Sequence, residues 1–331
     1  MFSALAVVLL HVSSSIVTRY GENRGADWWL GNLGDSFTRW CVPVFVMITG
    51  SLLLSKPTTE NLPSYYLRRL DRILIPLIVW TVVYLLVNAY SVGTLDLEQV
   101  KTNILTGTVY FHLWYLYMLL GLYLVVPLVQ RLVWRRSQRQ LGRLTAFSLV
   151  LSIVYTYTLP LIANTQLIFL TMFPPYIAYL MAGYYIGSAP KSVIQSKTAA
   201  ILAIASGFAI MIFTGLLAEN LGSRAWGIMY TNHNPLVILM SLCLFSLAKD
   251  LLWASNPDES TASRFVMRIA PLTFGIYVIH PLFIFIAWQI PGLDTLQTVG
   301  IGIPIITTMV FVFSAILTLV LQRIPLLRRA V

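Results

Sequence analysis

The 331-residue chain is too apolar for an ordinary water-soluble protein. Hydrophobic residues make up 58% of it and charged residues only 10%, whereas a soluble domain carries about 25% charged residues. A lipid bilayer must therefore surround most of the chain, which leaves no length for a separate soluble domain. The net charge of +10 indicates basic loops at a membrane face, and no aromatic and basic module points to nucleic acid.

Ten apolar runs follow one another, each near the roughly 20 residues that a helix needs to cross a bilayer. The runs lie at 1–18, 37–54, 73–92, 111–130, 144–163, 166–187, 198–217, 232–248, 270–289 and 300–321. We predict an all-α polytopic membrane protein with about ten transmembrane helices, forming one domain over residues 1–331. A short link at 161–165 must turn the chain, and Pro174–Pro175 predicts a kink in the sixth run.

The basic residues divide unequally between alternate loops, with 17 of 22 on one side. That side holds Lys56, Arg68, Arg69, Arg72, Arg131, Arg135, Arg136, Arg139, Arg143, Lys191, Lys197, Lys249, Arg264, Arg268, Arg323, Arg328 and Arg329. The other side holds Arg19, Arg24, Arg39, Lys101 and Arg224. Positive residues favour the cytoplasmic face, so this division predicts that both termini are cytoplasmic.

Two histidines lie inside apolar runs, where an ionisable group is costly and indicates function by default. His11 has Ser14 and Ser15 on its helix face, and His280 shares a face with Thr273 and Tyr277. Histidine titrates near neutral pH and can take a proton from a hydroxyl, so both are candidate general bases. The alternative is a hydrogen bond that packs one helix against another.

The other two histidines lie at the edges of runs, beside aromatic residues. His112 precedes Trp114, and His233 lies between two asparagines. They are candidate substrate-binding residues, with membership of an interfacial aromatic belt as the alternative.

A basic cluster leads into the third run. Arg68 and Arg72 are one helical turn apart, with Arg69 beside them. Two guanidinium groups on one face suit a phosphate, which Arg binds in bidentate geometry. Anchoring of the helix at the membrane surface explains the cluster equally well.

Several kinds of site are missing from the sequence. There is no nucleophilic serine in a glycine elbow, no phosphate-binding glycine loop, no carboxylate pair and no metal-ligand spacing. Cys41 and Cys243 fall in apolar runs and are interpreted as small hydrophobic residues. Acidic residues are absent from the predicted spans, which argues against a proton-coupled transporter.

Five segments, in order, resemble the integral-membrane acyltransferases of acyltransferase family 3. They are AVVLLH at 6–11, VPVFVMITGSLL at 42–53, RRLDRILIP at 68–76, FHLWYL at 111–116 and GIYVIH at 275–280. Within the family the sequence is most similar to standalone O-acetyltransferases of surface glycans, of the enterobacterial common antigen type. One departure concerns the family's Arg-x10-His motif, whose Arg would fall just before Met1. The first helix also starts without a polar lead-in, so we expect the N-terminus to be incomplete.

The resemblance implies transfer of an acyl group, typically acetyl from acetyl-CoA, to a hydroxyl of a cell-surface or lipid-linked glycan. His11 would be the general base, with His280 as the second candidate for that role. Arg68, Arg69 and Arg72 would hold the coenzyme's phosphates. His112, Trp114, Tyr277 and His233 would contact the acceptor, and no metal is implied. The protein would be a multi-pass cell-membrane enzyme in contact with lipid, acyl-CoA and glycan. A lipid or glycan transporter or flippase is the alternative, distinguished by whether acetyl-CoA is consumed. A non-catalytic membrane protein is a third possibility, raised only by the missing Arg.

Overall fold

A computed structural model describes residues 1–19, 25–55, 61–94, 96–162, 171–254, 269–296 and 299–331. Every regular element in those ranges is a helix, which confirms the predicted all-α class. The α-helices are α1 Phe2–Arg19, α2 Ala26–Ser36, α3 Cys41–Leu53, α4 Leu62–Val92, α5 Leu97–Thr106, α6 Trp114–Val133, α7 Gln138–Ile162, α8 Ile177–Ser188, α9 Ser196–Leu221, α10 Arg224–Met229, α11 Pro235–Ala254, α12 Thr273–Trp288, α13 Leu293–Leu296 and α14 Gly302–Arg323. Short 3₁₀ turns occupy Pro174–Tyr176, Ala270–Leu272 and Leu327–Arg329.

Six helical segments in the described ranges are long and apolar enough to cross a membrane. They are Ala26–Leu53, Leu62–Val92, Trp114–Val133, Ser196–Leu221, Ala270–Trp288 and Gly302–Arg323. The chain is thus a polytopic membrane protein, while the count of about ten spans and the cytoplasmic termini stay predictions. Four of the basic residues used for orientation (Arg24, Lys56, Arg264 and Arg268) and residues 163–165 of the predicted link lie outside the described residues.

The described part of the sixth predicted run, 171–187, differs from the expected kinked helix. A 3₁₀ turn occupies Pro174–Tyr176, and α8 begins only at Ile177. Proline fixes φ and has no N–H to donate, which suits the first positions of a helix better than its interior. The two prolines therefore mark the start of α8.

Local capping sets the ends of α4 and α5. The Asn61 side chain accepts a hydrogen bond from the Ser64 backbone N–H at 3.1 Å, at the start of α4. Gly93, at a φ of 80°, ends the helix in the left-handed conformation that glycine adopts without strain. Asp96 caps α5 in the same way as Asn61 caps α4.

The chain divides into two compact units, each made of two separate stretches. The first unit comprises Met1–Ile48 and Ile186–Thr318. In it α12 packs on α1, α1 on α2, α2 on α9, and α9 on α11. Ala4, Val8, Val12 and Ile16 recur every four residues, so they form one buried face of α1 against α12 and α14.

Glycines allow α2 to approach both of its neighbours closely. A Cβ added at Gly34 would overlap the Ser13 side chain on α1. A Cβ added at Gly215 on α9 would overlap the Trp29 ring on α2. Small residues at helix contacts are the usual basis of packing in membranes, where no hydrophobic force drives helices together. The position of α2 therefore depends on the absence of a side chain at Gly34 and at Gly215.

The second unit comprises Thr49–Tyr185 and Leu319–Val331. Here α4 packs on α6, and the 3₁₀ turn at Pro174–Tyr176 packs on α6 and α7. The C-terminal end is held by α4, because the Trp80 indole N–H donates to the Ala330 carbonyl at 2.8 Å. This unit carries the basic cluster and the His112 segment that the sequence singled out.

The close contact at Gly34 gives a test of this packing. In Gly34→Val, the added side chain must push α1 and α2 apart, and overpacking of this kind costs about 1–3 kcal/mol. We expect the melting temperature of the purified protein to fall by several degrees. Gly25→Ala is the control, since nothing lies within 4 Å of an added Cβ there. Equal melting temperatures for the two variants would contradict the packing of α2 on α1.

Candidate active site

The structure brings the two membrane histidines together. The rings of His11 on α1 and His280 on α12 are stacked, with centroids 5.3 Å apart and planes 20° from parallel. His280 is fully buried, whereas His11 is half-buried. Tyr277 lies beside this pair, its ring centroid 5.9 Å from that of His280. Three residues predicted from two separate segments thus form one cluster in the first unit.

The surroundings of His280 fix the position of its ring proton. Its Nδ1 lies 2.7 Å from the Tyr277 carbonyl and 3.2 Å from the Ile276 carbonyl. A carbonyl only accepts hydrogen bonds, so Nδ1 carries the hydrogen and donates it. Nε2 then holds the lone pair. His280 is oriented by its own helix and keeps one basic nitrogen.

A buried ion pair that the sequence did not predict lies close to His11. Asp35 on α2 pairs with Arg39 one turn further on, and their side chains are 1% and 16% exposed. Both belong to the span Ala26–Leu53, so the expectation that spans hold no acidic residue was wrong. The charge of Arg39 also lies within electrostatic range of His11.

Tyr230, just after α10, completes this polar network. The Arg39 guanidinium lies 4.1 Å from the centre of the Tyr230 ring and donates to the Tyr230 carbonyl at 3.3 Å. The Tyr230 hydroxyl donates to Asn32 Oδ1 at 2.6 Å, and Asn32 Nδ2 donates to the Met211 carbonyl at 2.9 Å. Burial raises the pKa of the Tyr230 phenol, and the nearby Asp35 carboxylate raises it further. The phenol therefore stays protonated and acts as a donor.

A cleft of about 320 Å³ opens beside the ion pair. Its lining comes from α1, from the α2–α3 region and from the α10 segment: Ser14, Val17, Thr18, Asp35, Arg39, Trp226, Gly227, Tyr230 and Thr231. Ser14 lies three residues after His11 on the same face of α1. The cleft is thus one helical turn away from the histidine pair.

His233 lies near this cleft but is not part of its lining. It is buried, at 3% exposure, two residues after the cleft residue Thr231. The structure places it in the first unit with His11, Tyr277 and His280. Its predicted contact with an acceptor remains a prediction.

The basic cluster lies in the second unit, on the first turns of α4. Arg68 and Arg72 are exposed one turn apart, so they can face the same anion as the spacing predicts. Arg69 is half-buried, with its guanidinium 5.7 Å from the centre of the Tyr65 ring. The cluster is therefore open to a ligand on one side and packed against an aromatic ring on the other.

The His112 segment forms a buried aromatic cluster in the second unit. His112 is fully buried, and its ring meets that of Tyr84 edge-on at a centroid distance of 4.9 Å. Trp114 lies next to Tyr176, 5.9 Å between centroids. The alternative for His112 was a place in an aromatic belt exposed at the membrane interface, whereas its ring is buried. The substrate contacts expected of His112 and Trp114 are not tested.

The described residues show no group of histidine, cysteine or acidic side chains arranged to hold a metal ion. Cys41 and Cys243 are both free thiols and buried. What the first unit offers is acid–base chemistry: two imidazoles in contact, next to a polar cleft.

Comparison with known proteins identifies the family of the chain. A family described as an acyltransferase domain matches residues 1–322, nearly the whole chain. The protein belongs to this family and is a membrane acyltransferase. No curated protein and no solved structure matches the chain. The match is continuous and spans both compact units.

Removing one partner of the buried ion pair tests the network. Asp35→Ala leaves the Arg39 guanidinium without its counter-charge in a buried place, which costs about 3–5 kcal/mol. We expect a large fall in melting temperature, and we expect Asp35→Ala/Arg39→Met to recover part of it. Glu98→Ala is the control, because the Glu98–Lys101 pair is exposed at 84% and 67%. A fall no greater than that of Glu98→Ala would show that the Asp35 pair carries no structural role.

Proposed function

We propose that this acyltransferase moves an acetyl group from acetyl-CoA to a hydroxyl of a cell-surface or lipid-linked glycan in the inner or plasma membrane. The stacked His11–His280 pair beside a polar cleft is the observation that carries the proposal. The family supplies acyl transfer, and the histidines supply the proton transfer that a hydroxyl acceptor needs. The likeness to surface-glycan acetyltransferases supplies the glycan.

The two histidines take different roles in this proposal. His11 is half-buried and one turn from the cleft, so it is the base that removes the hydroxyl proton. His280 is fixed by backbone carbonyls and stacks on His11, so it holds the His11 ring in position. The hydroxyl oxygen then bonds to the acyl carbon, the carbon–sulfur bond breaks, and the thiolate takes the proton from His11.

The donor is held by Arg68, Arg69 and Arg72 in this scheme. Coenzyme A carries phosphates, and guanidinium groups bind phosphate in bidentate geometry. The exposure of Arg68 and Arg72 leaves them open to such a ligand. By the positive-inside rule this cluster is cytoplasmic, the side on which acetyl-CoA is made available.

The first test of the proposal is His11→Ala. General base catalysis contributes about 10²–10⁴-fold, so we expect acetyl transfer to fall by that factor with membrane insertion unchanged. The measurement is thiol release from acetyl-CoA together with acetyl content of the glycan. Ser15→Ala is the control, because the Ser15 hydroxyl donates only to the Val12 carbonyl of its own helix at 2.7 Å.

The outcomes of that test separate the two histidines. Near-normal activity in His11→Ala with none in His280→Ala would move the base to α12. Activity retained in both variants would overturn the histidine mechanism.

The second test replaces Arg68, Arg69 and Arg72 one at a time by Lys. Lysine keeps the charge that anchors the helix but loses the bidentate fork. We expect the KM for acetyl-CoA to rise several-fold while the maximal rate changes little. Arg139→Lys, an exposed arginine at the start of α7, is the control. An unchanged KM in all three variants would leave the cluster as a membrane anchor alone.

A further inference from the structure

The cleft beside the histidines contains buried polar atoms that the described residues leave without a hydrogen-bond partner. They include the second carboxylate oxygen of Asp35, the indole N–H of Trp226 and the Nε–H of Arg39. A buried polar group of this kind destabilises the folded protein when nothing pairs with it. Native proteins leave few such groups, and those they leave need a reason. Three of them in the residues that line one cleft indicate a ligand with its own donors and acceptors.

The rest of the lining narrows the class of that ligand. Ser14, Thr18 and Thr231 contribute hydroxyl groups, and Trp226 contributes a half-buried aromatic surface. The charged residues in the lining are Asp35 and Arg39, which neutralise each other. A cleft without net charge does not select a polyanion such as coenzyme A. It suits a neutral molecule with many hydroxyl groups.

The volume of the cleft also favours a small neutral molecule with hydroxyl groups. Its volume of about 320 Å³ is at the lower end of the roughly 300–1,000 Å³ of small-molecule sites. A single sugar ring fits this volume better than a nucleotide with a long pantetheine arm. The cleft also lies one turn of α1 from His11, so a hydroxyl on a bound sugar is near the base.

We propose that this cleft binds one sugar ring of the acceptor, with Asp35 accepting a hydrogen bond from a sugar hydroxyl and the Trp226 indole N–H donating one. The inference rests on the proposed function, since it names where that function's acceptor binds. It assigns acceptor recognition to α1, α2 and the α10 segment of the first unit. The donor cluster on α4 has no part in it.

Labelling of an introduced cysteine tests the site directly. Thr18 lines the cleft and is exposed, and the native Cys41 and Cys243 are buried, so Thr18→Cys provides the reactive thiol. The full-length protein in lipid nanodiscs is treated with a maleimide in the presence of methyl glycosides of glucose, galactose, rhamnose and N-acetylglucosamine. We expect at least one sugar to slow labelling several-fold and saturably, and acetyl-CoA to leave it unchanged. Ser91→Cys, exposed on α4, is the control and is not protected.

Substitution of Trp226 or Asp35 tests whether their polar groups bind the sugar. Adding Trp226→Phe to Thr18→Cys keeps an aromatic ring but removes the N–H, so the sugar concentration needed for protection rises several-fold. Asp35→Asn, combined with Thr18→Cys, also raises the protecting sugar concentration, because an amide oxygen accepts a hydrogen bond more weakly than a carboxylate oxygen. If Asp35→Asn does not fold, the Trp226→Phe result alone decides the test. Trp134→Phe, on an exposed tryptophan of the second unit, leaves protection unchanged.

The result also separates this inference from the proposed function. Acetyl transfer with no protection by any of the four sugars overturns the sugar site alone. Protection by acetyl-CoA in place of sugar overturns it as well, and assigns the cleft to the donor. Sugar protection in a protein that never consumes acetyl-CoA upholds the site and overturns the proposed acetyl transfer.

Discussion

The arrangement of the first unit depends on the ion pair between Asp35 and Arg39. Charges inside an apolar helix bundle must be neutralised from within, because neither lipid nor a packed core can solvate them. Arg39 balances Asp35 and also lies against Tyr230, whose hydroxyl reaches Asn32. This network joins α2 to the segment after α10, so the same charges that cost free energy when buried also define the cleft.

Packing places the chemistry next to that cleft. Gly34 allows α2 to lie against α1, and the buried face of α1 lies against α12. His11 on α1 therefore meets His280 on α12 while Ser14, one turn away, lines the cleft. Two helix contacts, α2 on α1 and α1 on α12, therefore place the two imidazoles against each other and next to the polar cleft. In the proposed acyl transfer to a hydroxyl, general base catalysis would use one of these imidazoles.

The helical class and the family were predicted from the sequence and are confirmed, because each has a local signal. His11 and His280 also have a local signal, and their catalytic roles stay predictions. Apolar runs of membrane length predict helices, and His11 and His280 are ionisable groups within such runs. The ion pair is not predicted because the second apolar run begins at residue 37, which leaves Asp35 outside it, and because Arg39 counts among the loop residues in the charge division. Their four-residue spacing was the available signal. The contact of Arg39 with Tyr230, 191 positions later, has no local signal at all.

The central claim is that this protein consumes acetyl-CoA to acetylate a glycan, and one measurement tests it most directly. Cells expressing the full-length protein or His11→Ala are supplied with isotopically labelled acetate, and their surface glycans are analysed by mass spectrometry. We expect labelled O-acetyl groups on glycan in cells with the wild-type protein and almost none with His11→Ala. Glycans with the same O-acetyl content in both, or in cells that lack the gene, would contradict it.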